Sequence, residues 1–342
     1  MGKLFSYANR PVHLGPYPLE RLARAPADRT AVPPRPPVSF AADGRPESLV
    51  HAIREYQAML DVLRDGLVKA ETGVIPDDPE ERARHLKAFG YYCDASMVGI
   101  CRIEPGDWLL EPLVNPEVTR LAESLRTRQT KTLASGIDVI MAELRESAEA
   151  PATDCRHHTH AIVFLHEHPR APREDEPGGR WIAGAEEARA CLRGAETVAI
   201  LSNYLRLLGR DARGHTGAAS DVELNRLAVA AGLARVEAGQ ITNPFLGERF
   251  GLSAITTTLE MAPDAPLAED ARAGLAWWGT GRQAKSAWNH DPFRRRDFAM
   301  GPHPFETLKR VETPTTFIDE PRVARVPKRT DMFARAQFGD MG

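Results

Sequence analysis

The chain has 342 residues, with 44 Lys plus Arg against 47 Asp plus Glu and a formal net charge of −3. That balance gives no electrostatic ground for nucleic-acid binding, and an apolar fraction of 42% is enough for a folded core. No segment is long and apolar enough to span a bilayer and no apolar N-terminal run reads as a signal peptide, so no membrane association and a cytoplasmic setting are expected.

Residues 1–45 read as an arm rich in Pro and Arg, including Pro33-Pro34-Arg35-Pro36-Pro37. Proline fixes φ and removes donors, so the arm should be extended and owe its order to packing on something else. A helix is predicted over 46–69, with Leu49, Ile53, Tyr56, Leu60 and Leu63 on one face. Pro76-Asp77-Asp78-Pro79 breaks the pattern, and Asp78 is placed to cap a helix starting at Pro79. Ala95–Ile100 reads as a buried strand, and a longer helix is predicted over 116–149 through Ile137, Ile140, Met141 and Leu144.

Next comes a strand over His160–His166, whose Ala161–Leu165 run is continuously apolar, then a helix over 183–208. Residues 209–266 read as a short strand, a second helix, a loop and a return strand. From about residue 267 the pattern changes, with Trp277, Trp278, Trp288, Phe293, Phe298 and Phe305 among Arg and Pro. This aromatic stretch cannot build its own core but can anchor across another surface. The expected organisation is an arm (1–45), an α/β (α+β) domain (46–266) and an irregular C-terminal arm or linker (267–342).

Cys93, Cys101, Cys155 and Cys191 form no CxxC pair, and their spacing suggests neither a zinc ribbon nor an iron–sulfur ligand set. Histidines are more suggestive. Strand alternation over His157–His168 puts His158, His160, His166 and His168 on one face, so pairs at either end, with His215 or Glu167, are candidate metal ligands. Histidines hydrogen-bonded at a cavity rim are the plainer reading, and no metal ligand set is assigned. Arg213 and Arg249 are candidates for an anionic group, and the Trp277-Trp278 pair for stacking on a flat ligand.

Three segments carry a resemblance. Pro79–Ile103 contains Cys93-Asp94-Ala95-Ser96-Met97-Val98-Gly99-Ile100, His160–Pro169 precedes a helix ending Tyr204-Leu205-Arg206-Leu207-Leu208-Gly209, and Gly209–Pro266 holds Ala230-Ala231-Gly232-Leu233 and Asn243-Pro244-Phe245-Leu246-Gly247. In this order they resemble the reductive dehalogenase family, which is related to epoxyqueuosine reductase. The resemblance implies a nitroreductase-like sheet flanked by helices, here with extended N- and C-terminal arms. It also implies cobalamin as cofactor, bedded on Gly232, Leu233, Gly239, Asn243, Pro244, Phe245 and Gly247. The family's tyrosine proton donor aligns near Cys191; Tyr204 is the other candidate. A thiol near a helix N-terminus would have a lowered pKa, but spacing identifies no base for Cys191, and a packed free cysteine, with Tyr204 packed in the core, is the plainer reading.

The pattern also departs from the family. Where the family reads Gly-Leu-Gly-Glu-x-Gly-Arg-x-Gly, this chain has Gly232-Leu233-Ala234-Arg235-Val236-Glu237-Ala238-Gly239, one residue shorter and with two glycines replaced. No cysteine follows Cys191, so no iron–sulfur cluster is expected. These departures resemble the degenerate N-terminal copy found in aerobic reductive dehalogenases, and the residues 325–342 read as a junction into a following domain. The expected role is non-catalytic, with a catalytic reductive dehalogenase domain or a second copy as partner. The alternatives are a corrinoid-dependent reductase fed by an external electron donor and a metal-binding protein using His157–His168.

Overall fold

Residues 10–38, 47–127, 153–173 and 175–271 are described by the structure, a computed structural model of the chain. They all belong to the first of two compact units, Met1–Ala299; the second, Met300–Gly342, lies outside them. So do the Trp277-Trp278 pair, the predicted C-terminal arm beyond residue 271 and the helix predicted beyond residue 127.

The elements are α1 (Leu49–Val62), α2 (Pro79–Tyr92), β1 (Met97–Arg102), β2 (Trp108–Leu113), α3 (Pro116–Thr127), β3 (His160–Glu167) and α4 (Gly179–Ile182). They continue with α5 (Glu186–Leu207), β4 (Ala212–Thr216), β5 (Ser220–Val222), α6 (Leu224–Ala230), β6 (Arg235–Glu237), β7 (Gln240–Thr242) and β8 (Phe250–Thr257). The main sheet has order β1-β3-β8-β4 with every neighbouring pair antiparallel. All eight residues of β3 and all eight of β8 are buried, because helices cover both faces of these central strands. That is why β3 is continuously apolar from Ala161 to Leu165 instead of alternating.

On one face Ala161, Val163, Leu165, Leu252 and Ala254 pack with Leu227 and Ala228 of α6 and with Leu233. On the other, Ile162, Phe164 and Ile255 meet Ala83 and Leu86 of α2 and Val198, Leu201 and Leu205 of α5. Each such large apolar side chain contributes roughly 1.5–3 kcal/mol on burial. The expected sheet flanked by helices is what the residues build.

Local chemistry sets the boundaries. The Asp78 carboxylate accepts the Glu80 N–H at 3.0 Å, with Pro79 at the first helical position, so α2 starts where the sequence predicts. α1 stops short of the predicted Lys69. The carbonyls of Leu63 and Arg64 accept from the Arg206 guanidinium, each at 3.4 Å, and the Lys69 N–H bonds the Arg206 carbonyl at 3.0 Å. Those contacts draw the chain out of the helix. Two features were not anticipated. One is β2, which pairs with β5; the other is the β6–β7 hairpin, whose two-residue turn has Ala238 at φ 51° and Gly239 at φ 78°.

Residues 10–38 run along the domain in short 3-10 turns, Val12–Leu14, Leu19–Arg21 and Arg29–Ala31, as proline spacing dictates. Tyr17, Leu19 and Leu22 enter the core on the α6 face, and Val38 packs with Cys191 in a separate cluster. No helix among the described residues is long and apolar enough to cross a membrane.

Candidate functional site

The residues implied as a cofactor bed sit at the end of α6 and in the loop beyond it. α6 ends in a left-handed cap: the Gly232 N–H bonds the Val229 carbonyl at 3.0 Å and the Leu233 N–H bonds the Ala228 carbonyl at 2.9 Å, with Gly232 at φ 64°. Glycine is needed there to terminate the helix. Downstream, the Asn243 side-chain oxygen accepts from the Phe245 and Leu246 amides at 2.8 and 3.0 Å, while its Nδ2 donates to the Leu233 carbonyl at 2.7 Å. The Asn243-Pro244-Phe245-Leu246-Gly247 turn is therefore braced by its own asparagine and tied back to the helix cap.

The N-terminal arm covers this region. The Tyr17 ring lies 5.2 Å from the Phe245 ring, and Leu233, Asn243, Pro244 and Phe245 are buried. The Arg24 guanidinium donates to the carbonyls of Gly232 at 3.0 Å, Ala265 at 2.8 Å and Leu19 at 2.9 Å. A Cβ at position 232 would overlap the Arg24 guanidinium and the Ala265 carbonyl. Gly239 and Gly247 lie on the exposed side, with nothing near the direction a side chain would take. A cavity of about 80 Å³ remains between arm and domain, lined by Leu19, Arg24, Tyr91, Val98, Leu233 and Asp264 among others.

The two proton-donor candidates do not share a site. Cys191 and Tyr204 stand thirteen positions apart on α5, roughly 20 Å at the helical rise. Cys191 is buried against Val38 and close to the position a side chain at Gly217 would take. Burial pushes its thiol up, with the neighbouring Asp61 adding to the shift, so Cys191 sits as a packed free cysteine and its helix N-terminus does not lower the thiol. Tyr204 is partly exposed, edge-on to Phe89 at 5.3 Å.

The histidines separate into two groups. A turn, in which the His158 N–H bonds the Cys155 carbonyl at 3.0 Å, precedes β3, so strand alternation does not extend back to His158. Its ring reaches Thr256, which pairs with Ala161 and so faces away from His160 and His166. This corrects the single-face expectation. His160 contacts Thr159 at 2.9 Å and His166 lies 3.5 Å from Ser253; neither joins a metal-ligating group among the described residues. Burial holds His166 and His168 down, to about 3 and about 4.

His158, Thr256 and His215 form a directional chain. The Asp221 N–H donates to His215 Nδ1 at 3.2 Å, and burial together with Arg64 and Arg213 keeps that ring neutral. Its proton therefore sits on Nε2 and points to the Thr256 hydroxyl at 2.9 Å. The Thr256 hydroxyl proton is left to donate to His158 Nδ1 at 2.8 Å. Beyond it, His157 Nε2 and His158 Nε2 lie 2.8 and 3.3 Å from Asp211 Oδ2. Arg213 is spent elsewhere, on Asp221 at 3.0 Å, Asp65 at 3.3 Å and the Thr153 carbonyl at 2.6 Å. Arg249 donates to the Pro169 carbonyl at 3.0 Å from an exposed position.

No family model and no curated protein matches the chain. Solved structures do. A catabolic reductive dehalogenase, NpRdhA, in complex with 3-bromo-4-hydroxybenzoic acid is 35% identical over 98% of this chain and 42% of its own, with a TM-score of 0.63. A reductive dehalogenase described for B12-dependent dehalogenation is 36% identical over 99% of this chain and 42% of its own, at 0.62. The chain belongs to a reductive dehalogenase-like family. It spans 42% of the length of those dehalogenases. Epoxyqueuosine reductase from Streptococcus thermophilus aligns at 15% identity over 55% of this chain and 50% of its own, with a TM-score of 0.32, too low to carry an argument.

Membership raises the question of whether this domain admits a corrinoid. A flat macrocycle needs an open bed of several hundred Å³, in the range of ordinary cofactor pockets. Here Gly232 is filled by Arg24 and Ala265, Leu233 and Phe245 are buried, and the adjoining cavity is about 80 Å³. These residues do not fit the group. Arg24 gave no sequence signal of this role, since it lies 208 positions from the glycine whose carbonyl it binds.

Proposed function

We propose that this chain is a non-catalytic copy of the family's corrinoid-type domain, serving a structural role in an organohalide-reducing system in the cytoplasm. Its partner is a catalytic reductive dehalogenase domain or a second copy of itself. The observation that carries this reading is the Arg24 guanidinium, seated on the Gly232 and Ala265 carbonyls where the family would bed its cofactor.

Adding hydroxocobalamin to the purified chain tests this directly. No spectral shift and no co-elution on gel filtration are expected. Stoichiometric binding would instead establish a corrinoid-dependent reductase supplied by an external electron donor. Anaerobically purified protein is likewise expected to lack iron and acid-labile sulfide.

A further inference from the structure

We propose that His157, His158 and Asp211 bind a divalent transition-metal cation of the zinc type, next to the edge where β3 and β4 flank β8. This site shares no residue with the arm-covered loop and does not rest on the reading above.

The donor atoms already converge. His157 Nε2, His158 Nε2 and an Asp211 carboxylate oxygen all lie within 4.8 Å of one another, with Oδ2 at 2.8 Å from the first nitrogen and 3.3 Å from the second. A tetrahedral ion with bonds of about 2.0–2.1 Å holds neighbouring donors roughly 3.3 Å apart, so the carboxylate oxygen already stands at or just inside that spacing from both imidazoles. Two imidazoles and one carboxylate suit zinc, cobalt and nickel, and leave a fourth position for water. His157 and Asp211 are exposed by 52% and 39% of their side chains, which gives an ion a way in.

His158 supplies the second observation. Its Nδ1 is anchored by the Thr256 hydroxyl, the outer-shell contact that orients metal-bound imidazoles. Its Nε2 is fully buried and faces the Asp211 carboxylate at 3.3 Å, outside good hydrogen-bond geometry. Asp211 is fixed from its backbone, its carbonyl accepting from the Thr257 hydroxyl at 2.6 Å and the Thr258 amide at 3.2 Å. Arg213, the nearby cation on β4, points to Asp221 and Asp65.

The neighbouring group of Cys155, His215 and Asp221 has the right residue types but carries no such site. Asp221 is held between Arg64 at 2.9 Å and Arg213 at 3.0 Å, and two guanidinium groups would repel a cation there.

Metal binding makes a distinctive demand on the hydrogen-bond chain. With an ion on Nε2, the His158 proton must sit on Nδ1 and donate to the Thr256 hydroxyl, which receives no proton from that ring otherwise. One captured ion thus reverses the His158–Thr256 hydrogen bond, while the Asp221 N–H keeps His215 in its tautomer.

Zinc titration of the full chain by calorimetry, with cobalt(II) substitution followed in the visible, is the test. One equivalent is expected, with tetrahedral cobalt bands and a switch of His158 from the Nε2–H to the Nδ1–H tautomer by nitrogen NMR. His157→Ala and Asp211→Asn should each weaken binding at least tenfold; His85→Ala, which removes an exposed histidine on α2, should leave it unchanged. Absence of stoichiometric binding, unchanged affinity in both site variants, or loss of binding in His85→Ala would overturn the proposal. If either site variant proves unstable, the wild-type cobalt spectrum decides, and the lack of tetrahedral bands overturns it.

Discussion

The Arg24 guanidinium lies where a side chain at position 232 would begin, and it bonds the Gly232 carbonyl at 3.0 Å. Gly232→Ala therefore meets two obstacles, a positive φ of 64° and a filled space. It is expected to cost roughly 2–4 kcal/mol by urea denaturation, combining backbone strain with overpacking. Gly239→Ala also has a positive φ, 78°, but open space, so only about 1–2 kcal/mol should be lost. In an Arg24→Ala background the Gly232→Ala cost should shrink; strict additivity of the pair would refute the contact.

Ala238 occupies a left-handed conformation at φ 51° in the two-residue turn of the β6–β7 hairpin. Such turns favour Asn-Gly or Gly-Gly. Ala238→Asn or Ala238→Gly should stabilise the domain by about 0.5–1 kcal/mol, read as a higher urea midpoint at unchanged slope.

Asp61 is fully buried and takes hydrogen bonds from Gln57 at 2.9 Å, Asn115 at 2.9 Å and Thr216 at 3.0 Å. Burial nevertheless raises its carboxyl to about 6. Between the unfolded value near 3.8 and 6 the native state holds a proton that the unfolded state has lost. Stability from this group is therefore present below the lower value and falls as pH rises to the upper one, by roughly 3 kcal/mol. The stability of Asp61→Asn relative to wild type should rise by that order from pH 4 to pH 7. A flat difference across the range would refute the shift.

Cys101, Cys155 and Cys191 are buried, and Cys93 is half-buried at the end of α2. Burial raises all four thiols, Cys155 to about 11. In native protein a thiol reagent should modify Cys93 first, with the other three reacting only on unfolding. Rapid labelling of Cys191 would restore it as a nucleophile.

The sequence made some of this legible and hid the rest for physical reasons. The Asp78-Pro79 cap and the apolar run of β3 are local signals, and both elements stand where the pattern places them. The β6–β7 hairpin was hidden because its strands have three residues each and its turn reads Ala-Gly rather than Asn-Gly. His158 was assigned the wrong face because a turn precedes β3, and no periodicity reports a turn so short. Gly232 reads equally as a ligand-contact glycine or a helix stop, and only the bonds to Val229 and Ala228 separate the two.

The position of β8 has a consequence for synthesis. It is the last strand of the main sheet to be made, yet it lies between β3 and β4 and bonds both. Until residues 250–257 leave the ribosome, β3 and β4 each present an unpaired edge with no neighbour to take it. A nascent chain stalled before that point is open to strand exchange with its neighbours on the same message, and the delay ends with the arrival of a single strand.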